Sequence, residues 1–181
     1  MNGFVHLRKA HSMFGWDWGA HLPDAGIFRP VYLLGIDTAY LDTVEVLQYH
    51  EDGKVRIHCN PVIETMEQSA HTKQELPVTI TLTDPDGERI FQGSAGEDIL
   101  ISDPKLWWPN GYGAQPLYTI AAELKKEDGT VIDCWTRRIG LRTIMMDRTK
   151  DQWGERFATC VNGVNIFAMG ADYIPEDHLL G

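Results

Sequence analysis

The sequence has few cysteines, no long apolar run and no excess of positive charge. Its 181 residues carry 16 Lys and Arg against 26 Asp and Glu, a formal net charge of −10. Without a cluster of Lys and Arg, such a chain is a poor candidate for binding the phosphate backbone of nucleic acids. The three cysteines, Cys59, Cys134 and Cys160, are too few for a disulfide framework, so we expect mostly buried free thiols.

Other classes of protein are excluded by missing segments and motifs. No apolar run approaches the roughly 18 residues of a membrane span, so no membrane partner is expected. The first nine residues lack the apolar stretch of a signal peptide, which predicts a cytoplasmic protein. A (β/α)₈ barrel typically needs about 250 residues, so the chain cannot hold a complete one. His50 and His58 have no partner at metal-ligand spacing, and no phosphate-binding loop is present. We therefore expect no metal and no cofactor.

Alternation of apolar and polar residues dominates the chain from about residue 39 to residue 145. Val78, Ile80 and Leu82, for example, alternate with threonines, as in a half-buried antiparallel strand. Turn sequences such as Asp52-Gly53 separate the apolar runs. About seven short strands within about 105 residues are typical of an immunoglobulin-like sandwich. We predict an all-β fold with an immunoglobulin-like β-sandwich over residues 37–146.

The two ends of the chain have a different character. Glycines alternate with tryptophans in residues 11–21, which favours a tightly turned loop. Residues 27–35 are predicted to form a buried strand. Near the other end, Asn162-Gly163 lies between two apolar runs and predicts a β-hairpin.

The tripeptide Trp16-Asp17-Trp18 is the strongest candidate for a binding function. Indole faces pack on the apolar C–H face of a pyranose ring, and a carboxylate accepts hydrogen bonds from sugar hydroxyls. The alternative is structural: the two tryptophans belong to a core and Asp17 caps a turn. The second aromatic cluster, residues 106–113 (Leu-Trp-Trp-Pro-Asn-Gly-Tyr-Gly), is either another sugar platform or, as we favour, packing within the sandwich.

Four motifs, in order along nearly the whole chain, resemble the β-mannosidases of glycoside hydrolase family 2. Residues 8–10, 14–19 and 26–31 resemble the end of that family's sugar-binding jelly-roll domain. Residues 106–118 resemble its immunoglobulin-like domain, and residues 138–144 the exit from it. Residues 157–175 resemble the entry to its catalytic (β/α)₈ barrel. The resemblance implies three parts: a jelly-roll end at 1–36, the sandwich at 37–146, and a β-hairpin with the first barrel strand at 147–181.

The resemblance also implies a reaction. Enzymes of this kind are retaining exo-hydrolases that release terminal β-D-mannose, using one glutamate as acid/base and one as nucleophile. The acid/base follows an Asn in the family, and this sequence contains no Asn-Glu pair. We therefore expect no catalytic residue in this chain and no hydrolase activity of the chain alone. The implied partners are a β-mannoside oligosaccharide, bound by the full-length protein, and the remaining domains of the parent chain.

Site residues are implied by the same resemblance. Trp16 and Asp17 match a loop that reaches the sugar pocket, where the family's Asp binds mannose hydroxyls, and Trp18 completes that loop. Tyr173 matches an aromatic position at the end of the first barrel strand, and Asp172 stands beside it where Asn is usual. The runner-up function is a non-catalytic carbohydrate-binding or adhesion module with a β-sandwich fold, which would use Trp16-Asp17-Trp18 alone.

Overall fold

The structure of the protein is a computed structural model that describes residues 3–36, 38–65 and 76–174. The described residues fall into two compact units. The terminal unit contains residues 3–35 and 169–174, and the sandwich unit contains the described residues between 36 and 168. Each is treated separately below. Among the described residues, no helix is long and apolar enough to cross a membrane.

The regular structure of the described residues is almost entirely β. Two short 3₁₀ helices, Phe4–His6 and His11–Phe14, lie in the terminal unit. Twelve strands are found among the described residues: β1 Ala39–Glu51, β2 Lys54–Thr65, β3 Val78–Thr83, β4 Arg89–Ser94, β5 Ile99–Ile101, β6 Tyr118–Lys125, β7 Val131–Ile139, β8 Ile144–Asp147, β9 Lys150–Asp151, β10 Gly154–Glu155, β11 Ala158–Val161 and β12 Val164–Ile166. The expected all-β fold is confirmed.

Seven of these strands form the two sheets of the sandwich. One sheet has the order β1-β2-β5 and the other the order β4-β3-β6-β7, and every neighbouring pair is antiparallel. Residues that alternate along each strand face inward and share one hydrophobic core. Both sheets contribute core members that are at most 1% exposed: Val55, Ile57, Cys59, Ile80, Leu82, Ile120, Ala122 and Leu124. The period of two in the sequence therefore corresponds to one buried and one outer face.

Tight turns join the strands where turn residues were expected. Asp52 and Gly53 have φ values of 49° and 72° and connect β1 to β2. Both angles are positive, as a two-residue hairpin turn requires, and glycine adopts them without steric cost. Asn162 and Gly163, with φ values of 50° and 79°, join β11 to β12 in the same way. The hairpin predicted from Asn162-Gly163 is therefore present.

A smaller sheet follows the sandwich strands within the same unit. Its order is β12-β11-β8, and Cys160 and Val161 are buried in β11, while β9 and β10 form a separate two-stranded ribbon. The structure thus groups residues 147–168 with the sandwich. Their assignment to a catalytic barrel, like the three domain boundaries, stays a prediction from the resemblance.

Two expected strands at the ends of the chain are not formed. Residues 27–35 contain no strand, and their apolar side chains are exposed, with Leu33 fully exposed and Ile27 84% exposed. Residues 169–174, expected to hold the first barrel strand, also lack strand structure, and residues 175–181 lie outside the described residues. The physical reason is that a strand needs a hydrogen-bonded neighbour, and no described residue pairs with either segment.

Candidate functional site

The loop that carries Trp16-Asp17-Trp18 is closed at its base by the 3₁₀ helix that precedes it. Met13 is buried at the end of that helix, and its carbonyl accepts a hydrogen bond from the N–H of Leu22 at 3.1 Å. The chain leaves the helix through Gly15, whose φ of 108° is unfavourable for other residues. Residues 14–21 therefore project as a loop from a fixed base.

The tip of this loop is a tight turn. The N–H of Gly19 donates to the carbonyl of Trp16 at 3.4 Å, which places Asp17 and Trp18 at the two central positions. Trp16 is 63% exposed and Trp18 is 37% exposed, and Asp17 is exposed between them. Neither indole is buried in a core formed by the described residues.

Contacts behind the tip hold the loop in shape. The rings of Phe14 and His21 meet edge to face with centroids 6.3 Å apart. A Cβ added at Gly15 would lie 3.4 Å from the His21 ring, so the glycine lets the ring approach closely. Lys9 forms an ion pair with Asp24 (Nζ–Oδ1 3.6 Å) and also donates to the Asp24 carbonyl, which ties the two sides of the loop base together.

The structure brings the second pair of candidate residues into the same unit. Asp172 and Tyr173 lie in residues 169–174, which belong to the terminal unit together with residues 3–35. Both side chains are exposed, Tyr173 by 74%. Residues about 155 positions apart in sequence are therefore collected in one compact unit, as a shared sugar pocket would require.

The terminal unit carries exposed aromatic and carboxylate side chains, the groups with which proteins bind sugars. Two exposed indoles and a phenol present apolar faces, and two carboxylates present hydrogen-bond acceptors. The Asp17 carboxylate makes no hydrogen bond or ion pair with the described residues, so its lone pairs are available to a ligand. No group of three or more His, Cys, Asp or Glu that could hold a metal ion occurs in the described part of the chain.

The second aromatic cluster has a structural role in the sandwich unit. Trp107 and Trp108 are half-buried, and the N–H of Trp107 donates to the carbonyl of Leu141 at 2.9 Å. The guanidinium of Arg142 lies over the Trp107 ring, 4.4 Å from its centroid. Gly140 makes room for the same ring, since a Cβ there would approach Trp107 to 2.9 Å. These contacts favour a structural role for residues 106–113 over a role as a second sugar platform.

The aromatic segment, residues 106–113, also anchors the β11–β12 hairpin. The Asn162 side chain donates to the Trp107 carbonyl at 3.0 Å and accepts from the N–H of Thr143 at 3.0 Å. The N–H of Phe167 donates to the hydroxyl of Tyr112 at 2.9 Å. Sequence reasoning found Asn162 only as a turn residue, since nothing in the local sequence reveals its long-range partner.

Comparison with known proteins assigns the family. The family model for the glycosyl hydrolases of family 2 matches residues 39–142, which cover the sandwich and its exit segment. The chain belongs to glycosyl hydrolase family 2. The match to family 2 covers more than half of the chain and includes the Trp107–Leu141 junction, so the resemblance based on residues 106–118 and 138–144 is confirmed.

Similar proteins extend the match beyond the sandwich to almost the whole chain. Beta-mannosidase B from Emericella nidulans is 34% identical over 184 residues, covering 97% of this chain and 21% of the relative. Beta-mannosidase B from Aspergillus niger is 35% identical over 192 residues, with the same two coverages of 97% and 21%. The chain thus spans about a fifth of the length of these relatives.

Solved structures agree with the fold. The crystal structure of a β-D-mannosidase from Dictyoglomus thermophilum superposes with a TM-score of 0.78 at 31% identity, covering 96% of this chain and 22% of that one. A β-glucuronidase from Ruminococcus gnavus gives a TM-score of 0.56 at 18% identity over 73% of this chain, and supports the fold alone.

Proposed function

We propose that these residues belong to a retaining exo-β-mannosidase that releases terminal β-D-mannose from oligosaccharides. Two similar curated proteins are named beta-mannosidases, and so is the solved structure with the TM-score of 0.78. Retaining hydrolysis needs two carboxyl groups about 5 Å apart, one as acid/base and one as nucleophile. On this proposal both catalytic glutamates lie outside the 181 residues, which contribute part of the sugar pocket instead.

One observation carries the proposal: the turn at Trp16–Gly19 presents an exposed carboxylate between two exposed indoles. The indole faces would stack on the apolar face of the terminal mannose, and Asp17 would accept hydrogen bonds from its hydroxyls. On this proposal Asp172 and Tyr173, which lie in the same compact unit, contact the same sugar. An enzyme that releases one terminal sugar unit needs to hold that single sugar from several sides.

The test is steady-state kinetics of the full-length protein on an aryl β-D-mannoside. Asp17→Asn removes a charged hydrogen-bond acceptor, and loss of such a bond costs about 1.5–3 kcal/mol. We expect kcat/KM to fall roughly 10- to 100-fold. Trp16→Ala should lower kcat/KM through loss of the stacking surface.

Matched variants control for general damage. Asp103 is exposed and makes no hydrogen bond or ion pair with the described residues, so Asp103→Asn should leave kcat/KM unchanged. Trp153 is 86% exposed and lies in the sandwich unit, so Trp153→Ala controls for Trp16→Ala. Unchanged kinetics in Asp17→Asn would refute the proposed role of the loop. Measurable hydrolysis by the 181-residue chain alone would refute the placement of both glutamates outside it.

A further inference from the structure

The sandwich unit contains a pocket that the sugar-binding loop does not use. Its volume is about 260 Å³, and it lies at the turn between β1 and β2, where residues 50–55 meet Pro104, Leu106, Thr143 and Asn162. Val55, which is 1% exposed, Leu106 and Pro104 give it apolar walls. Residues that are far apart in sequence form the pocket, so no local motif could have predicted it.

One lining residue, His50, is held in a defined hydrogen-bonding state. Its Nε2 lies 3.2 Å from Oε1 of Gln48, an oxygen that also accepts the N–H of Arg142 at 3.3 Å. The Gln48 amide nitrogen donates to the carbonyl of Gly140 at 3.2 Å, which fixes the orientation of the amide. Because that oxygen can only accept, Nε2 of His50 carries the proton in the neutral ring.

The other ring nitrogen is left as an acceptor. Nδ1 of His50 makes no hydrogen bond with the described residues. Burial lowers the pKa of His50, which favours the neutral ring and keeps this nitrogen unprotonated near neutral pH. A ligand in the pocket would therefore meet a hydrogen-bond acceptor beside apolar walls.

The groups around the pocket disfavour anions and metal cations. Glu51 and Asp52 contribute two carboxylates and Lys54 one ammonium group, so the lining is negative by one charge. Anions are disfavoured by that excess. Metal cations are disfavoured because the described residues contain no group of three or more metal-ligating side chains here or elsewhere. A neutral ligand with both hydroxyls and an apolar face fits the lining.

The volume of the pocket limits the size of the ligand that it can hold. Pockets for drug-sized molecules have about 300–1,000 Å³, so a volume of about 260 Å³ suits a smaller molecule. We propose that this pocket binds one hexose unit of a neutral saccharide, whose hydroxyls donate to Nδ1 of His50 and to the carboxylates of Glu51 and Asp52. The proposal is independent of the catalytic activity proposed above, because its residues all lie in the sandwich unit.

The experiment is a ¹⁵N–¹H correlation titration of the 181-residue chain with D-mannose and D-glucose. We expect saturable shifts of the amide resonances of Lys54, Val55 and Thr143, with half-saturation at millimolar sugar. Sodium sulfate at matched ionic strength serves as the anionic control and should leave these resonances unchanged.

Two variants test the contacts. His50→Phe keeps an aromatic ring but removes the acceptor nitrogen, and should weaken binding at least five-fold. Glu51→Gln changes an exposed residue without risk to the core, and should weaken binding about two- to three-fold. His58→Phe is the matched control: His58 lies on β2 and bonds Asp98 at 2.8 Å, and does not line the pocket. Thermal unfolding of each variant verifies that it is folded.

The outcomes separate this proposal from the previous one. Absence of shifts at the pocket amides, or identical affinities in wild type, His50→Phe and Glu51→Gln, would overturn it. Shifts confined to amides around Asp17 would support the sugar-binding loop while overturning the pocket proposal. If the shifts of the pocket amides occur in wild type and are lost in His50→Phe, they support the pocket proposal. This holds whatever the kinetics of Asp17→Asn are.

Discussion

The side-chain amide of Asn162 donates a hydrogen bond to the backbone carbonyl of Trp107, with 3.0 Å between Nδ2 and O. Asn162 belongs to the turn of the β11–β12 hairpin, and Trp107 to the aromatic segment that follows β5. The same side chain accepts from the N–H of Thr143, whose carbonyl accepts the N–H of Asn162 at 3.1 Å. One residue thus closes the turn and attaches the hairpin to the sandwich.

Asn162→Ala should therefore destabilise the sandwich unit by about 3–4 kcal/mol. The substitution removes the partners of the Trp107 carbonyl and the Thr143 N–H, at about 1 kcal/mol or more each. It also places alanine at a φ of 50°, which costs about 1–2 kcal/mol. Chemical denaturation of the 181-residue chain measures the change.

The first hairpin provides the control for the backbone effect. Asp52 occupies the equivalent turn position with a φ of 49°, and its side chain makes no hydrogen bond with the described residues. Asp52→Ala should cost only the about 1–2 kcal/mol that arises from the positive φ. Equal costs for the two alanine variants would mean that the Asn162 side-chain bonds contribute nothing.

Gly140→Ala should destabilise the same junction by overpacking. The new Cβ would lie 2.9 Å from Cβ and Cγ of Trp107. Trp107 cannot easily retreat, because its N–H is bonded to Leu141 and Arg142 covers its ring. Forcing such a shift costs about 1–3 kcal/mol, measurable as a lower midpoint of thermal unfolding.

Gly26→Ala is the matched substitution in open space. A Cβ at Gly26 meets no atom within 4 Å, and its φ lies outside the left-handed region. The midpoint should stay nearly unchanged, since such surface changes are usually within about 0.5 kcal/mol. A Gly140→Ala variant as stable as Gly26→Ala would contradict the close packing of Trp107.

Asp133 joins the two sheets at their edges, and its removal should be costly. Its carboxylate accepts the N–H of Leu41 at 2.7 Å, at the β-bulge in β1. Leu41 is 6% exposed, so Asp133→Ala leaves a buried donor unpaired, at a cost of about 1–3 kcal/mol. Asp133→Asn retains an acceptor oxygen and should recover most of the stability. Equal losses in both variants would show that the negative charge, rather than the acceptor, is what β1 requires.

The sandwich could be predicted from the sequence because its signal is local. Val78, Ile80 and Leu82 alternate with polar residues, and each faces the core. The turns at Asp52 and Asn162 follow from residues that tolerate positive φ beside a glycine. Periodicity and turn chemistry act over a few residues, so both can be read directly from the chain.

The remaining features depend on long-range contacts. Residues 27–35 have the composition of a buried strand but no described strand pairs with them, so composition alone predicted the wrong environment. Grouping of Trp16-Asp17-Trp18 with Asp172 and Tyr173 was expected only through the family resemblance. The pocket at His50 was missed, because its walls come from residues 50–55, 104, 106, 143 and 162.

The last prediction concerns the pH dependence that Asp147 imposes on the β8–β11–β12 sheet. The side chain and N–H of Thr149 donate to Oδ1 of Asp147 at 2.6 and 3.0 Å, and Asn165 of β12 donates to Oδ2 at 3.0 Å. These bonds, with a smaller contribution from Arg156, lower the pKa of Asp147 from 3.8 to about 2.

A carboxyl group with a lowered folded-state pKa stabilises the fold fully above its unfolded-state value, and the stabilisation is lost as pH falls towards the folded-state value. For Asp147 this window runs from 3.8 down to about 2. Asp147→Asn cannot titrate, so its thermal midpoint should lie below that of wild type above about pH 5 and converge with it towards about pH 2. Asp103→Asn, an exposed carboxylate without a hydrogen bond to the described residues, should show no such convergence. A constant difference between wild type and Asp147→Asn across this range would contradict the role of the charged carboxylate, because only ionisation of Asp147 makes the difference depend on pH.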